Sequence, residues 1–456
     1  MGSPCKGALV LFVLVILVAG PDLRTGAWAA TYYVDAFHGS DAAAGTSPQS
    51  AWQTIGKVNT TPLSPGDTVL FARGGVWREW LAPQSGSEAG AITYGAYGTG
   101  DKPLFLGSMA KSQEGHWRHE GGAIWATTRP PLLDGEHLAN PSFETSAEGW
   151  HTHFAAEGGA SGSAGRDTDV FASAPAGYSI ACAASGTAAT DIQLFTTERF
   201  AVQAGTSYEL SFRARSSADF TVHSIVLMPD APPWERIVYA NSAFSPTITG
   251  DWQTYRVLYR VERTTADARI TFYLGGALPA GATFFVDSLS VKEFSAKDLL
   301  FADVGNIIVG QSRSSGLKRW QESELSSQGE FWYDEDNWEL KVYSAENPAR
   351  HYGDLECALS RHIIDETGQH HIVYQDLDLR YGGAHGIGGG DTHHIVVRNC
   401  DFSFIGGGDQ MGGDGELRYG NGVEFWNNAH DTLVEGCRLW EIYDAALTTQ
   451  GIGEST

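Results

Sequence analysis

The feature that most constrains this chain is a repeat in its last hundred residues. Val373-Tyr374-Gln375-Asp376-Leu377-Asp378-Leu379 aligns with Val396-Val397-Arg398-Asn399-Cys400-Asp401-Phe402, and again with Leu433-Val434-Glu435-Gly436-Cys437-Arg438-Leu439. The first offset is 23 residues; the second is 37, which returns to about 23 if Gly407–Tyr419 is a loop outside the unit. A period in the low twenties, with strand-length apolar patches and small or polar corners, is the pattern of a solenoid of stacked parallel strands. In that register Leu377, Cys400 and Cys437 share one inward column. Asp376, Asn399 and Gly436 share a corner where left-handed backbone is favoured. On a second sheet Ile387, Val423 and Leu447 point inward, so Gly388, Glu424 and Thr448 point outward.

The rest of the chain is read around that repeat. Met1–Lys6 is positively charged, Ala8–Ala19 is apolar, and Ala27-Trp28-Ala29 is a small-x-small site. This is the layout of a signal peptide over residues 1–29, too short to favour a membrane span, so the protein is expected to be secreted, extracellular or periplasmic. A net charge of −24 repels nucleic acid and anionic lipid and argues against both as partners. Beyond the leader the cysteines are Cys182, Cys357, Cys400 and Cys437, with no CxxC pair, and they read as small core residues. With 55 glycines, 14 tryptophans and 17 tyrosines, the composition points to a turn-rich β protein with surfaces for stacking. Nothing in the sequence fixes an oligomeric state.

Three stretches follow the leader. In 30–137, strands are expected at Thr31–Asp35, Thr68–Ala72, Ala91–Tyr97, Pro103–Leu106 and Ala123–Thr127, with a short helix over Trp52–Asn59. The order YYVD, GTSP, AWQTI, PGDTVLF resembles the amino-terminal cap and first rungs of the pectate-lyase-like superfamily. That resemblance implies a right-handed parallel β-helix and a carbohydrate-acting superfamily, without fixing a reaction. In 138–294, alternating strands at Ser207–Arg213, Thr221–Leu227, Thr254–Val261 and Ala268–Leu274 argue for an antiparallel sandwich. Its opening, Asn140-Pro141-Ser142-Phe143-Glu144 with Gly149-Trp150, and its close, Phe284–Val291, resemble carbohydrate-binding modules with a galactose-binding-like jelly roll. The resemblance implies a polysaccharide or oligosaccharide partner, and a structural calcium ligated by Glu144 and Asp287. Residues 295–456 resume the helix, with a hairpin at Phe331–Asp334 and Trp338–Tyr343. The expected fold is thus all-β, a parallel β-helix with a jelly-roll sandwich inserted. No cap is visible after the last strand, so the helix is expected to be incomplete at its carboxyl end.

The candidate chemistry is carboxylate chemistry. Gly406–Tyr419 leaves the stack as a loop carrying Asp409, Asp414 and Glu416. Glu424 faces outward on the following strand, and Asp444 precedes the matching strand one rung on. Adjacent rungs lie ~4.8 Å apart, so neighbouring carboxylates can meet at the ~5–9.5 Å that glycosidases use. Glu424 and Asp444, roofed by Asp409 and Asp414, are therefore the expected acid pair. His385 and Asp391 are candidates to bind sugar hydroxyls, and Trp234 to stack on a sugar ring. His151, His153 and Tyr273 are further possibilities, whereas Trp150 and Trp252 read as core. His370, His371, His393 and His394 recur with the rung and read as corner residues. The leading function is glycoside hydrolysis. A polysaccharide lyase is the second reading, weakened because the final 90 residues hold no lysine, and a non-catalytic carbohydrate-binding surface protein is the third.

Overall fold

The computed structural model describes residues 29–451, except 233, 235–236, 240–244, 297 and 411–416. All but the last residue of the expected signal peptide lies outside them. The described chain is all-β, with short α-helices only at Ile55–Thr60 and Pro348–Tyr352. The first starts one turn later than the sequence suggests, because the Thr54 hydroxyl accepts from the Lys57 N–H at 3.0 Å and caps it there.

Three parallel sheets carry the repeat. One runs Thr31–Val34, Thr68–Ala72, Ile92–Tyr97, His370–Gln375, His393–Arg398, His430–Glu435. A second runs Val76–Trp77, Leu104–Leu106, Asp378–Arg380, Asp401–Ile405, Arg438–Ile442, and a third Ile364–Asp365, Ile387–Gly390, Val423–Trp426, Leu447–Gln450. The register is the one the repeat implies: Val373 pairs with Val396 and Val396 with Leu433, while Ile387, Val423 and Leu447 align in turn. Alternation sends Ile372, Tyr374, Ile395 and Val397 into one core with Leu377 and Cys400, all fully buried, and Cys437 packs against it half-buried. Asp376, Asn399 and Gly436 have φ of 58°, 52° and 64°, so the left-handed corner recurs at each rung.

The stack is continuous across a long excursion of the chain. Ile92 pairs directly with Ile372 and Leu104 with Asp378, so consecutive rungs are supplied from either side of residues 107–363. Part of that excursion departs from the expectation of further rungs. Ser108–Ala110, Val304–Val309 and Leu355–Leu359 pair antiparallel, as do Trp117–Gly121, Ile124–Thr127 and Glu339–Tyr343. The reason is local. The expected hairpin forms, Phe331 opposite Val342 and Asp334 opposite Glu339, and a tight turn of that kind reverses the chain whereas a rung must carry it forward. This layer has its own core around Phe301, Phe331, Leu340 and Leu359.

Residues 150–293 form two antiparallel sheets packed face to face. One holds Ala160–Asp167, Gly177–Ser185, Thr283–Glu293, Ser207–Ser216 and Gln253–Arg260; the other holds Trp150–Phe154, Ile192–Thr196, Phe200–Val202, Thr265–Tyr273 and Ser224–Pro229. Phe143, Phe212, Tyr259, Phe272 and Phe284 fill the space between them. The ends of this segment meet: the Leu133 N–H donates to the Glu293 carbonyl at 2.8 Å, and that of Ser295 to Pro131 at 2.9 Å.

Candidate active site

Glu424 lies on Val423–Trp426, between the core residues Val423 and Phe425, so strand alternation turns it out of the stack. It is nevertheless buried, at 6% exposure, because neighbouring rungs cover it. Its Oε2 accepts from the Asn421 side-chain amide, from Gln450 Nε2 at 3.1 Å, and lies 3.3 Å from His385 Nε2. The Asn421 backbone N–H donates to His385 Nδ1 at 2.8 Å. With Nδ1 accepting that bond, the hydrogen on Nε2 faces the carboxylate. Burial pushes the Glu424 pKa up, but the bonds from His385 and Asn421 outweigh it and hold the carboxyl below its ordinary value. An outward acid has been folded into a desolvated, ionised one.

Two neighbours fix His385. His362, one period upstream, stacks on it at 4.7 Å, and its Nδ1 accepts the His385 backbone N–H at 3.3 Å. Burial, then the nearby His385 ring, drops His362 to about 4, so this ring is neutral. Gly388 pairs with Glu424 across the rungs, and a Cβ there would sit 2.9 Å from His385 Cδ2. The absent side chain is what lets the imidazole reach the carboxylate.

The loop that leaves the stack begins and ends beside this group. Gly406 and Gly420 have φ of 103° and 133°, and a Cβ on Gly420 would lie 2.2 Å from the Gly406 Cα. Only glycine permits the two strands of this neck to cross so closely. Beyond it, Gly408–Asp409 pairs antiparallel with Arg418–Tyr419. The Asp409 N–H donates to Asp303 Oδ2 at 2.8 Å, and Arg418 donates to the carbonyls of Gly407 and Gly305 at 2.7 and 2.8 Å. Tyr419 packs edge-on to His385 at 5.2 Å. Burial raises its pKa, the Ser360 hydroxyl at 3.5 Å opposes that, and the carboxylates of Asp303, Glu424 and Asp409 raise it further. Asp303 forms a buried ion pair with Lys318. Next to it a cavity of about 630 Å³ is lined by Tyr333, Trp338, Glu335, Asp336 and sandwich residues including Arg256 and Leu258. Glu335 is exposed at the cavity rim, and partial desolvation, then the charges of Asp303 and Asp409, raise its pKa.

The remaining expected residues are scattered. Asp444 is exposed in the turn before Leu447–Gln450, its N–H donating to the Gly420 carbonyl at 3.2 Å. Asp414 and Glu416 lie outside the described residues. Asp391 is separated from His385 by the whole strand Ile387–Gly390; it is an exposed corner with φ of 56°, bonded by Asn428 at 2.7 Å. Asp303, Glu335, His362, Asn421 and Tyr419 were not singled out from sequence. His362 could have been, since it precedes His385 by one period.

On the sandwich, Trp234 is 54% exposed, Trp150 is core and Trp252 is half-buried under Arg213. His153, Gln193 and Tyr273 align across three strands, and His151 lies against Phe195, which the Arg269 guanidinium covers at 4.6 Å. This polar and aromatic row faces away from the core. The metal expectation meets a different geometry. Asp287 is fully buried; its Oδ2 accepts from the Ala172 and Ser173 N–H groups at 2.8 and 2.7 Å, and Oδ1 from the Ser288 N–H at 2.5 Å. Three backbone amides thus donate to its two oxygens, and Glu144 is half-buried in the turn that opens the segment.

Comparison with known proteins adds four matches. Residues 135–282 match the family model described as a carbohydrate binding domain. A stretch of 91 residues is 36% identical to the lacto-N-biosidase of Bifidobacterium longum subsp. longum; it makes up 18% of this chain but 6% of that protein. Among solved structures, a GH136 lacto-N-biosidase from Eubacterium ramulus aligns over 91% of this chain and 34% of its own, at 13% identity and a TM-score of 0.29. A CBM4 structure aligns over 35% of this chain and 95% of its own, at 20% identity and a TM-score of 0.26.

Proposed function

We propose that this chain belongs to a secreted glycoside hydrolase, with residues 138–294 acting as a carbohydrate-binding module. The parallel ladders at 30–106 and 364–450 are read as a right-handed β-helix of the pectate-lyase-like kind, since crossovers between parallel strands in one sheet are nearly always right-handed. The carbohydrate-binding-domain match and the partial identity to a lacto-N-biosidase support the substrate class, and the leader-like first residues support secretion.

The observation that carries the reading is the Glu424 carboxylate, buried, ionised and held on the outer face by Asn421, Gln450 and His385. A group so held is suited to attack an anomeric carbon or to activate a water there. Its partner must deliver a proton to the leaving oxygen. That role is assigned to Asp409, which pairs with Arg418 beside Tyr419 on the loop ribbon; Asp444, in the exposed turn, is the alternative that kinetics separates. Exposed Trp234 and the row of His153, Gln193 and Tyr273 are assigned to sugar binding.

The test is the rate of glycoside cleavage by Glu424→Gln, Asp409→Asn and Asp444→Asn, on oligosaccharides that a lacto-N-biosidase cleaves and on a panel of neutral and uronate polymers. Glu424→Gln is expected to lose a factor of ~10²–10⁴ with its circular dichroism unchanged. A near-normal rate for that variant would sink the assignment, and unsaturated products from uronate polymers would favour the lyase.

A further inference from the structure

At the far end of the third sheet's strands from His385, where the chain turns into the first sheet, each of three rungs places a pair of side chains side by side. The pairs are His370 with His371, His393 with His394, and His430 with Asp431. His370, His393 and His430 align in register and stack at 4.7 and 5.0 Å, with ring planes within 5° and 6° of parallel. His371 stacks on His394 at 4.4 Å, and Asp431 continues that second column. The second column exists because His371, His394 and Asp431 all adopt the left-handed conformation, with φ of 56°, 56° and 53°. That backbone turns each side chain back against its predecessor.

The two columns meet through Nδ1 atoms and, on the last rung, a carboxylate oxygen. Nδ1 of His370 lies 3.0 Å from Nδ1 of His371, Nδ1 of His393 lies 2.9 Å from Nδ1 of His394, and Nδ1 of His430 lies 2.8 Å from Asp431 Oδ2. Asp431 Oδ2 also lies 3.9 Å from His394 Nδ1. Ligand atoms of His371, His393 and His394 fall within 4.8 Å of one another, as do those of His394, His430 and Asp431. Two imidazole nitrogens facing each other at such a distance need a proton between them, and a divalent cation can take its place. Zinc bound to nitrogen at ~2.0–2.1 Å sets tetrahedral ligand atoms ~3.3 Å apart, close to the separations across each rung. Ring nitrogens in this number suit zinc, copper or nickel rather than calcium.

We propose that this histidine ladder is a binding site for a divalent transition ion of the zinc type, clamping adjacent rungs at a corner remote from Glu424. His394 belongs to both ligand groups and is the residue on which the site turns. It is also exposed, so its removal leaves the core untouched. The probe is zinc chloride titrated into untagged, chelator-stripped protein, followed by calorimetry, with metal content measured after dialysis and with calcium chloride as the control. Near-stoichiometric zinc retention is expected, with a rise in the melting midpoint and no response to calcium. His394→Ala should weaken binding about 10- to 100-fold, and His430→Asn should weaken it as well, since each removes a ligand. Cobalt(II) in place of zinc should give visible absorption bands that His394→Ala abolishes. Zinc content no higher than in a histidine-poor control protein, or retention unaltered in His394→Ala, overturns the proposal.

Discussion

The ionisation of Glu424 depends on single atoms around it. Removing the His385 ring takes away the strongest of the bonds that hold the carboxyl ionised and leaves burial dominant. His385→Ala should therefore move the acid limb of kcat/KM upward, because a carboxylate that must be deprotonated now loses its proton at higher pH. Gly388→Ala should act through the same ring: the methyl has no room beside Cδ2, the imidazole must move, and a tenfold or larger loss in kcat is expected without a matching loss of stability. A second acid makes a different prediction. Glu366 is fully buried, and that burial, with Asp365 adding to it, raises its pKa to about 8. The folded state then holds a proton that the unfolded chain releases near 4.5, so stability is greatest below that value and falls as pH rises towards 8. Glu366→Gln should flatten this fall, which melting midpoints between pH 5 and pH 8.5 would show; an equal fall in both proteins would exclude Glu366 as its source. Alternation made Glu424 legible as an outward residue in the sequence. That it is also desolvated was not legible, because Gln450 and His385 reach it from other rungs.

At the scale of elements, the repeat told more than any strand propensity. It set the pairing of Val373, Val396 and Leu433 and the left-handed corner at Asp376, Asn399 and Gly436. It also explained the longer second offset by a loop, whose described ends, Gly408–Asp409 and Arg418–Tyr419, pair as a ribbon between Gly406 and Gly420. Where the repeat is silent, the reading failed: residues 304–359 have short apolar strands like those of a rung, and nothing in such a strand declares whether its neighbour runs parallel. The hairpin turn did, locally. In the sandwich, Asp287 lies within the strand Thr283–Glu293, and the loop amides that reach its carboxylate are contacts a sequence cannot show. The bonds to Ala172, Ser173 and Ser288 tie that loop to the strand. Asp287→Ala should cost about 2–4 kcal/mol in urea unfolding, since hydrogen bonds to a buried charge are the strong kind. Calcium and chelator should leave the wild-type melting midpoint where it was. A calcium-dependent midpoint lost in Glu144→Gln would restore the ion.

At the scale of the molecule, the question is how a sandwich entering and leaving at one point is kept from swinging. The tether alone is narrow, being the paired segments around Leu133 and Glu293. The seam beside it is built from cations on aromatic rings. Arg361, next to the parallel stack, lies 4.4 Å over Trp80 and 5.2 Å over Tyr239, and forms an ion pair with Glu262 of the sandwich. The Tyr239 hydroxyl donates to the Ser360 carbonyl at 2.9 Å. Arg260 lies 4.8 Å over Phe301, and burial, then repulsion from Arg361, draws its pKa down to about 10. Leu258 completes the contact by entering the core of the antiparallel layer. Each cation–ring contact of this kind contributes roughly 0.5–2 kcal/mol, more where water is excluded. The seam also forms one wall of the cavity beside Asp303 and Glu335. Arg361→Ala removes two ring contacts and one ion pair without touching either core. The intact protein should melt as one cooperative unit in scanning calorimetry. The variant should resolve into two transitions, the sandwich separating from the stack, and its KM for long substrates should rise more than its kcat falls. A single transition at the original midpoint would place the coupling between the two bodies elsewhere, in the tether rather than the seam.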